Sequence, residues 1–261
     1  MDIYLGAPPP NMTADQYWNA SQLAAQAWSH GDIPCTSLTI SINKNDAATG
    51  DVGFDRKNVI VLRQDGWCQQ PSSTDPAPQP CYPANAMAVT TLVKNKATGE
   101  IVDADMEINA VNFDWADLVA DPAQADGGTA DFQNTLTHEL GHVIGLAHNC
   151  YTPNDGTAPL MDNTGSPEIA CGTANVPASV TDATMYPVVA TFDTERRSLS
   201  PDDKQAACDI YPGQAVFLGG AGCSLAGAAS TNPLRGWAAA FACLLALAFA
   251  ALACRRLRPP A

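Results

Sequence analysis

An α+β fold with a membrane-spanning tail is what this sequence predicts. Helical apolar periodicity around residues 15–28 and 132–144 is separated by short apolar or alternating runs, and an unbroken apolar run lies near the C-terminus.

In residues 15–28, Tyr17, Leu23, Ala24, Ala27 and Trp28 fall on a helical pattern. Residues 36–42 alternate apolar and polar side chains, as a half-buried strand does, and residues 58–62 are a second apolar run. Residues 87–93 and 100–109 flank a turn-rich segment, 95–99, and read as a hairpin. Asp131 is placed to cap a helix whose Phe132, Leu136, Leu140, Val143 and Ile144 recur at helical spacing. That apolar face packs on a sheet, leaving the opposite face to a cleft. Ser200 and Pro201 read as a helix cap and a first-turn proline.

The cleft face carries the most specific signal. Three of the four histidines lie in HELGHVIGLAH, residues 138–148. His138 and His142, four apart, project from one helix face, so both imidazoles can reach one tetrahedral metal ion. Gly145 can stop the helix because glycine enters the left-handed conformation without steric cost, and the turned chain returns His148 as third ligand. Glu139 is placed to take a proton from a water on the metal and pass it to a leaving amine. Bare HExxH arises by chance on ordinary amphipathic helices; the added glycine and third histidine make a zinc site with one open position the better reading. With no arginine or second histidine evident nearby, the developing oxyanion is left mainly to the metal.

This run resembles the metzincin motif, whose members also need a methionine beneath the metal. Met185, in Thr184-Met185-Tyr186-Pro187, resembles the Met-Tyr-Pro turn of the matrixins; Met161 is the rival and reads better as core filling. Leu199-Ser200-Pro201-Asp202-Asp203 and Ile210-Tyr211 resemble the start and finish of their last helix. The similarity covers roughly residues 1–212. It implies a zinc metalloendopeptidase with a twisted, mostly parallel sheet and an antiparallel edge strand bordering the cleft, where an extended peptide is held by main-chain pairing. Residues 2–5 are all that is available for the family's first strand, and Tyr186 is assigned to packing or pocket wall. The segment between His148 and Met185 is longer than its matrixin counterpart and is expected to form a rim shaping the substrate pocket. A catalytically retired metzincin-fold binding protein is the alternative, against which the intact Glu139 and three ligands argue.

Six cysteines lie in the catalytic region. Cys68 with Cys81 and Cys150 with Cys171 would close local loops, leaving Cys35 with Cys208; reduced thiols are the other reading. Met1 is followed at once by an acidic residue and a short apolar stretch, so the domain is expected to be truncated at its start, without its signal peptide or propeptide. Residues 213–236 are small and flexible, with Gly222-Cys223-Ser224 at their centre; residues 237–254 are apolar throughout, and Arg255, Arg256 and Arg258 follow. Eighteen residues at helical rise span about 27 Å, enough to cross a bilayer, and the arginines favour a cytoplasmic C-terminus. This tail resembles the myxobacterial C-terminal sorting signal, which implies a sorting protease, processing or lipidation near Cys223, and delivery to the outer membrane surface or the medium.

All 27 acidic residues lie at or before Asp209, against nine of the 13 Lys and Arg, which argues against nucleic acid as partner. Calcium is the sharper alternative for this charge: Asp103, Asp105 and Glu107, and Asp121, Asp126 and Asp131, are candidate ligands, but with no EF-hand pattern solvated loop carboxylates are the preferred reading. His30 reads as a surface residue at the end of the first helix.

Overall fold

Four of the five strands of the main sheet run parallel, and the fifth closes one edge antiparallel. The computed structural model describes residues 1–44, 52–69, 79–152, 161 and 165–213, all within one unit, Met1–Ala215. Cys223, the apolar run 237–254 and the arginine tail lie outside the described residues. Among the described residues, no helix is long and apolar enough to cross a membrane.

The chain enters through β1 (Asp2–Leu5) and α1 (Ala14–Ala27), then runs through β2 (Ser41–Lys44), β3 (Asn58–Arg63), β4 (Ala88–Lys94) and β5 (Ile101–Asn109). Strand order is β2-β1-β3-β5-β4. β1 is parallel to β2 and β3, β3 is parallel to β5, and β4 pairs antiparallel with β5. The short parallel pair β6 (Asp114–Ala116) and β7 (Thr129–Asp131) leads into α2 (Phe132–Val143). A single turn, α3 (Ala178–Thr181), and the last helix, α4 (Pro201–Ile210), complete an α+β fold with a mostly parallel mixed sheet.

Local chemistry sets the helix ends. The Thr13 hydroxyl accepts the Gln16 amide while the Gln16 side chain takes the Thr13 amide, a reciprocal cap for α1. Asp131 Oδ1 accepts the Asn134 amide at 2.8 Å, as its position before α2 predicts. Gly145, at φ 98°, ends that helix, and Leu146 N–H reaches back to the Gly141 carbonyl at 3.0 Å. Ser200 and Asp203 form the same kind of reciprocal cap on α4, with Pro201 in its first turn.

Phe132, Leu136, Leu140, Val143 and Ile144 are all fully buried, joining Ala104, Met106 and Ile108 of β5 in the main core. Each large side chain so buried contributes roughly 1.5–3 kcal/mol. α1 packs on α2 and β2. Leu23, expected on its buried face, is 49% exposed, whereas Tyr17, Ala20, Ala24 and Trp28 are buried. The alternation over residues 36–42 is real, with Leu38, Ile40 and Ile42 buried, but only Ser41–Lys44 pairs with β1. Residues 37–40 are extended without a ladder partner because β1 pairs no further back than Asp2.

The other face of β5 corrects the calcium reading. Alternation puts Asp103, Asp105 and Glu107 together on it, yet all three are buried rather than solvated. Asp105 accepts the Gly53 and Val59 amides at 2.8 and 3.1 Å, and Asp103 those of Asp55 and Arg56 at 2.7 and 2.8 Å. Glu107 takes the Arg63 guanidinium and the Tyr82 hydroxyl. These carboxylates fasten the covering loops to the sheet, since buried backbone amides need acceptors. Asp126 caps its own turn through Gly128 and Thr129, Asp121 takes the Gln124 amide, and Asp131 holds α2 and Arg197. Among the described residues none of the six belongs to a cluster of three side chains placed to hold a cation.

Disulfides join Cys35 to Cys208, Cys68 to Cys81 and Cys150 to Cys171. The first ties the segment after α1 to the last helix across 173 residues; the others close short loops.

Candidate metal centre and substrate cleft

α2 delivers His138 and His142 from one face, and the turn at Gly145 brings His148 beside them. Nε2 of His148 lies 3.3 Å from Nε2 of His138 and 3.1 Å from Nε2 of His142. Ligand nitrogens about 2.0–2.1 Å from a tetrahedral zinc ion sit ~3.3–3.4 Å apart, so the spacing suits one such ion. Nδ1 of His138 faces the Thr184 carbonyl at 2.6 Å and Nδ1 of His142 the Leu146 carbonyl at 2.9 Å. In the neutral rings of His138 and His142 those carbonyls take the Nδ1 proton and leave Nε2 as a bare lone pair. Lone pairs aimed at one point repel one another unless a cation lies between them. Burial, and then the proximity of His142, push His138 down to about 3 and His148 down to about 4, so these two rings stay neutral near pH 7. Among the described residues this is the one group of His, Cys, Asp or Glu arranged to hold a metal ion.

Glu139 sits 6% exposed beside the triad, and the Thr90 hydroxyl of β4 donates to its Oε2 at 2.6 Å. Burial raises its pKa above the usual carboxylate range, opposed by His142 and by the Thr90 hydrogen bond. Thr90 had no local signal, being 49 residues from Glu139 and adjacent to it only through the packing of α2 on the edge strand.

Beneath the histidines lies Met185, 2% exposed, whereas Met161 is 65% exposed. A Cβ added at Gly141 would collide with Met185 Sδ and stand 2.9 Å from Trp28 Cζ2, so glycine lets the helix settle onto this sulfur. Asp203 fixes the turn from below: its Oδ2 accepts the Thr184 amide at 2.9 Å and its Oδ1 the Met185 amide at 3.3 Å. The Thr184 carbonyl is the partner of His138, so the cap of α4 also orients a metal-facing imidazole. Sequence reading caught the cap at Ser200 and missed this second duty of Asp203. Asn149 N–H reaches the Met185 carbonyl at 3.3 Å and its side-chain amide the Val180 carbonyl at 2.9 Å, tying the third histidine's neighbour to the same turn. His30 stands apart, exposed beyond α1, with Nδ1 2.7 Å from the Thr36 carbonyl.

A cleft of about 530 Å³ opens onto the triad. β4 forms one wall through Ala88, Val89, Thr90 and Leu92; the segment Tyr186 to Val189 and Arg196 form the other. Two expectations change here. Among the described residues, nothing between Asn149 and Met185 lines the cleft, so the described part of that long segment is not its rim; residues 153–160 and 162–164 lie outside the described residues. Second, an arginine does stand in the cleft. Arg196 arrives because Glu195–Arg197 is pinned to the first turn of α2. Arg196 N–H meets Asn134 Oδ1 at 2.7 Å, and Arg197 bonds Asp131, Gln133 and Asp117. The adjacent arginines in a chain so poor in basic residues were the only sequence hint.

Fold and site together define an α+β protein with a three-histidine group able to hold a metal ion beside a buried carboxylate. The chain matches no protein-family model and no curated protein.

Proposed function

We propose that this protein is a zinc-dependent endopeptidase of the matrixin-like metzincin kind. The observation carrying the reading is the convergence of His138, His142 and His148 Nε2 beside Glu139, in a cleft walled by an unpaired antiparallel edge strand. The extended sequence pattern, the buried Met185 and the Asp203-capped last helix support the family assignment.

His138, His142 and His148 would hold the metal through their Nε2 atoms. A bound zinc ion would supply Lewis acidity toward the scissile carbonyl and the attacking water. Among the described residues β4 has β5 on one side only, so its outer amides and carbonyls accept a substrate as an added strand. That pairing lays the scissile bond across Glu139. Glu139 accepts the proton of the attacking water and returns it to the departing amine; Thr90 fixes the carboxylate while it does so. Burial raises the pKa of Glu139 above the usual carboxylate range, which makes it a stronger base than an exposed carboxylate. The three disulfides among the described residues suit an exported protein, and the sequence of the tail, which lies outside those residues, is read as a sorting signal with processing near Cys223.

Purified protein is expected to contain one zinc per chain and to cleave casein. Glu139→Ala should retain the zinc and lose hydrolysis by at least ~10²-fold. Hydrolysis undiminished in Glu139→Ala overturns the mechanism. Absence of both zinc and hydrolysis in correctly processed material favours a retired metzincin fold that only binds.

A further inference from the structure

Met87 fixes which way each residue of β4 faces. Its carbonyl accepts the Asn109 amide at the end of β5 at 2.9 Å, so its main-chain groups point into the sheet. Antiparallel pairing runs on without a shift from Ala88 opposite Ile108 to Val93 opposite Asp103, and main-chain direction alternates along such a strand. Val89 and Thr91 therefore also bond inward, whereas Ala88, Thr90 and Leu92 turn their N–H and C=O outward. Among the described residues no strand pairs with that outer edge, and all three residues line the cleft. Their side chains share the face that packs on α2, where Ala88 and Leu92 are apolar contacts of the core. Of the three, Thr90 alone carries a polar group there, the hydroxyl that donates to Glu139 Oε2 at 2.6 Å.

We infer that Thr90 is a positioning residue that couples the pairing of an extended substrate on β4 to the orientation of Glu139. This rests on the peptidase reading. One residue presents its main chain to the substrate and its hydroxyl to the general base, so whatever restrains the strand also restrains the carboxylate. Without substrate, β4 is held from the β5 side; a paired substrate makes it an inner strand with hydrogen bonds along both edges. The next outward groups, those of Ala88 and Leu92, flank Thr90 in both directions, so full engagement needs a chain that extends past Thr90 on each side. A peptide too short to reach them leaves the strand, and with it the hydroxyl, less fixed. Binding made away from the scissile bond thereby raises kcat instead of only lowering KM. The substrate class that follows is the interior of an extended polypeptide, not a dipeptide or a chain end.

The test compares the zinc-loaded full chain on a blocked dipeptide and on a longer peptide that carries the same bond at its centre. The longer peptide is expected to raise wild-type kcat about tenfold, close to what one well-placed hydrogen bond is worth. Thr90→Val keeps the β-branched shape and removes the hydroxyl; it should keep its zinc, hold KM for the longer peptide within about twofold, and lose that rise in kcat. Thr90→Ser should restore the rise. Hydrogen exchange of metal-free protein reads the pairing without turnover: the longer peptide should protect the amides at positions 88, 90 and 92 in wild type and Thr90→Val alike, leaving Val89 and Thr91 unchanged. If Thr90→Val does not fold, Thr90→Ala removes the same hydroxyl and is read the same way. No rise of wild-type kcat with length, equal losses on both peptides in the variant, or new protection at Val89 and Thr91 instead overturns the coupling and leaves the peptidase reading standing. Cleavage of neither peptide by zinc-loaded wild type overturns both.

Discussion

Gly141→Ala puts the packing beneath the metal site to a quantitative test. In a helix interior the substitution by itself favours folding by up to ~1 kcal/mol, since alanine is the better helix former. Here the new Cβ lands on Met185 Sδ and 2.9 Å from Trp28 Cζ2. Neither neighbour can retreat into solvent: Met185 is 2% exposed, Trp28 is fully buried, and Trp28 Nε1 is anchored to the Thr137 carbonyl at 2.7 Å. Overpacking of a closed core costs about 1–3 kcal/mol, and a collision from two sides belongs at the upper end. The expected balance is a loss of ~2 kcal/mol, or about 4–8 °C in Tm for a domain of this size. Thermal unfolding of metal-free protein reads the first quantity, and competition with a chelator reads the accompanying loss of zinc affinity. Gly31→Ala, whose Cβ meets nothing within 4 Å, is the control and should stay within ~0.5 kcal/mol. Combined with Met185→Ala, the Gly141 penalty should shrink, because the two substitutions act on one contact. A Gly141→Ala protein as stable as the wild type, with unchanged zinc affinity, would refute the argument.

Two further outcomes follow from the site. Asp203→Asn removes charge-assisted acceptance of the Thr184, Met185 and Ser200 amides and should cost about 2–4 kcal/mol; because Thr184 orients His138, zinc affinity should also fall ~10–100-fold, a loss that a purely structural cap at another helix would not produce. His138 and His148 titrate below the ordinary histidine value of 6.5, so the unfolded chain binds more protons between that value and about 3 to 4. Their contribution to stability is therefore complete above pH 6.5 and lost as pH falls, by up to about 1.4 kcal/mol per pH unit for His138. Denaturation of metal-free protein across pH 4–7 checks this, and a midpoint rising toward acid would contradict it.

Much of the site was legible because its residues are local. His138, Glu139, His142 and His148 share one helix and one turn, and helical spacing with a glycine stop dictates where their side chains point. The same locality made α2, α4 and the β4–β5 hairpin readable, since a cap, a turn and an apolar period each leave a mark within a few residues. Where partners are distant, the reading failed or was silent. Residues 37–40 carry a strand's alternation but fall outside the β2 ladder, meeting backbone partners as scattered as Tyr211, His30 and Met1 instead. Asp103, Asp105 and Glu107 look like solvated or cation-binding acids until the loops they hold are folded over them.

The sequence by itself determined the three converging histidines, the adjacent carboxylate and the ends of the helices that present them, because those depend on dihedral preference and short spacing. Only the tertiary structure decided that Thr90 holds Glu139, that Asp203 steadies the turn behind His138, and that Arg196 lines the cleft. Each of these joins residues from separate elements, and burial makes them matter: an acceptor or donor withdrawn from water must find its partner wherever packing puts one.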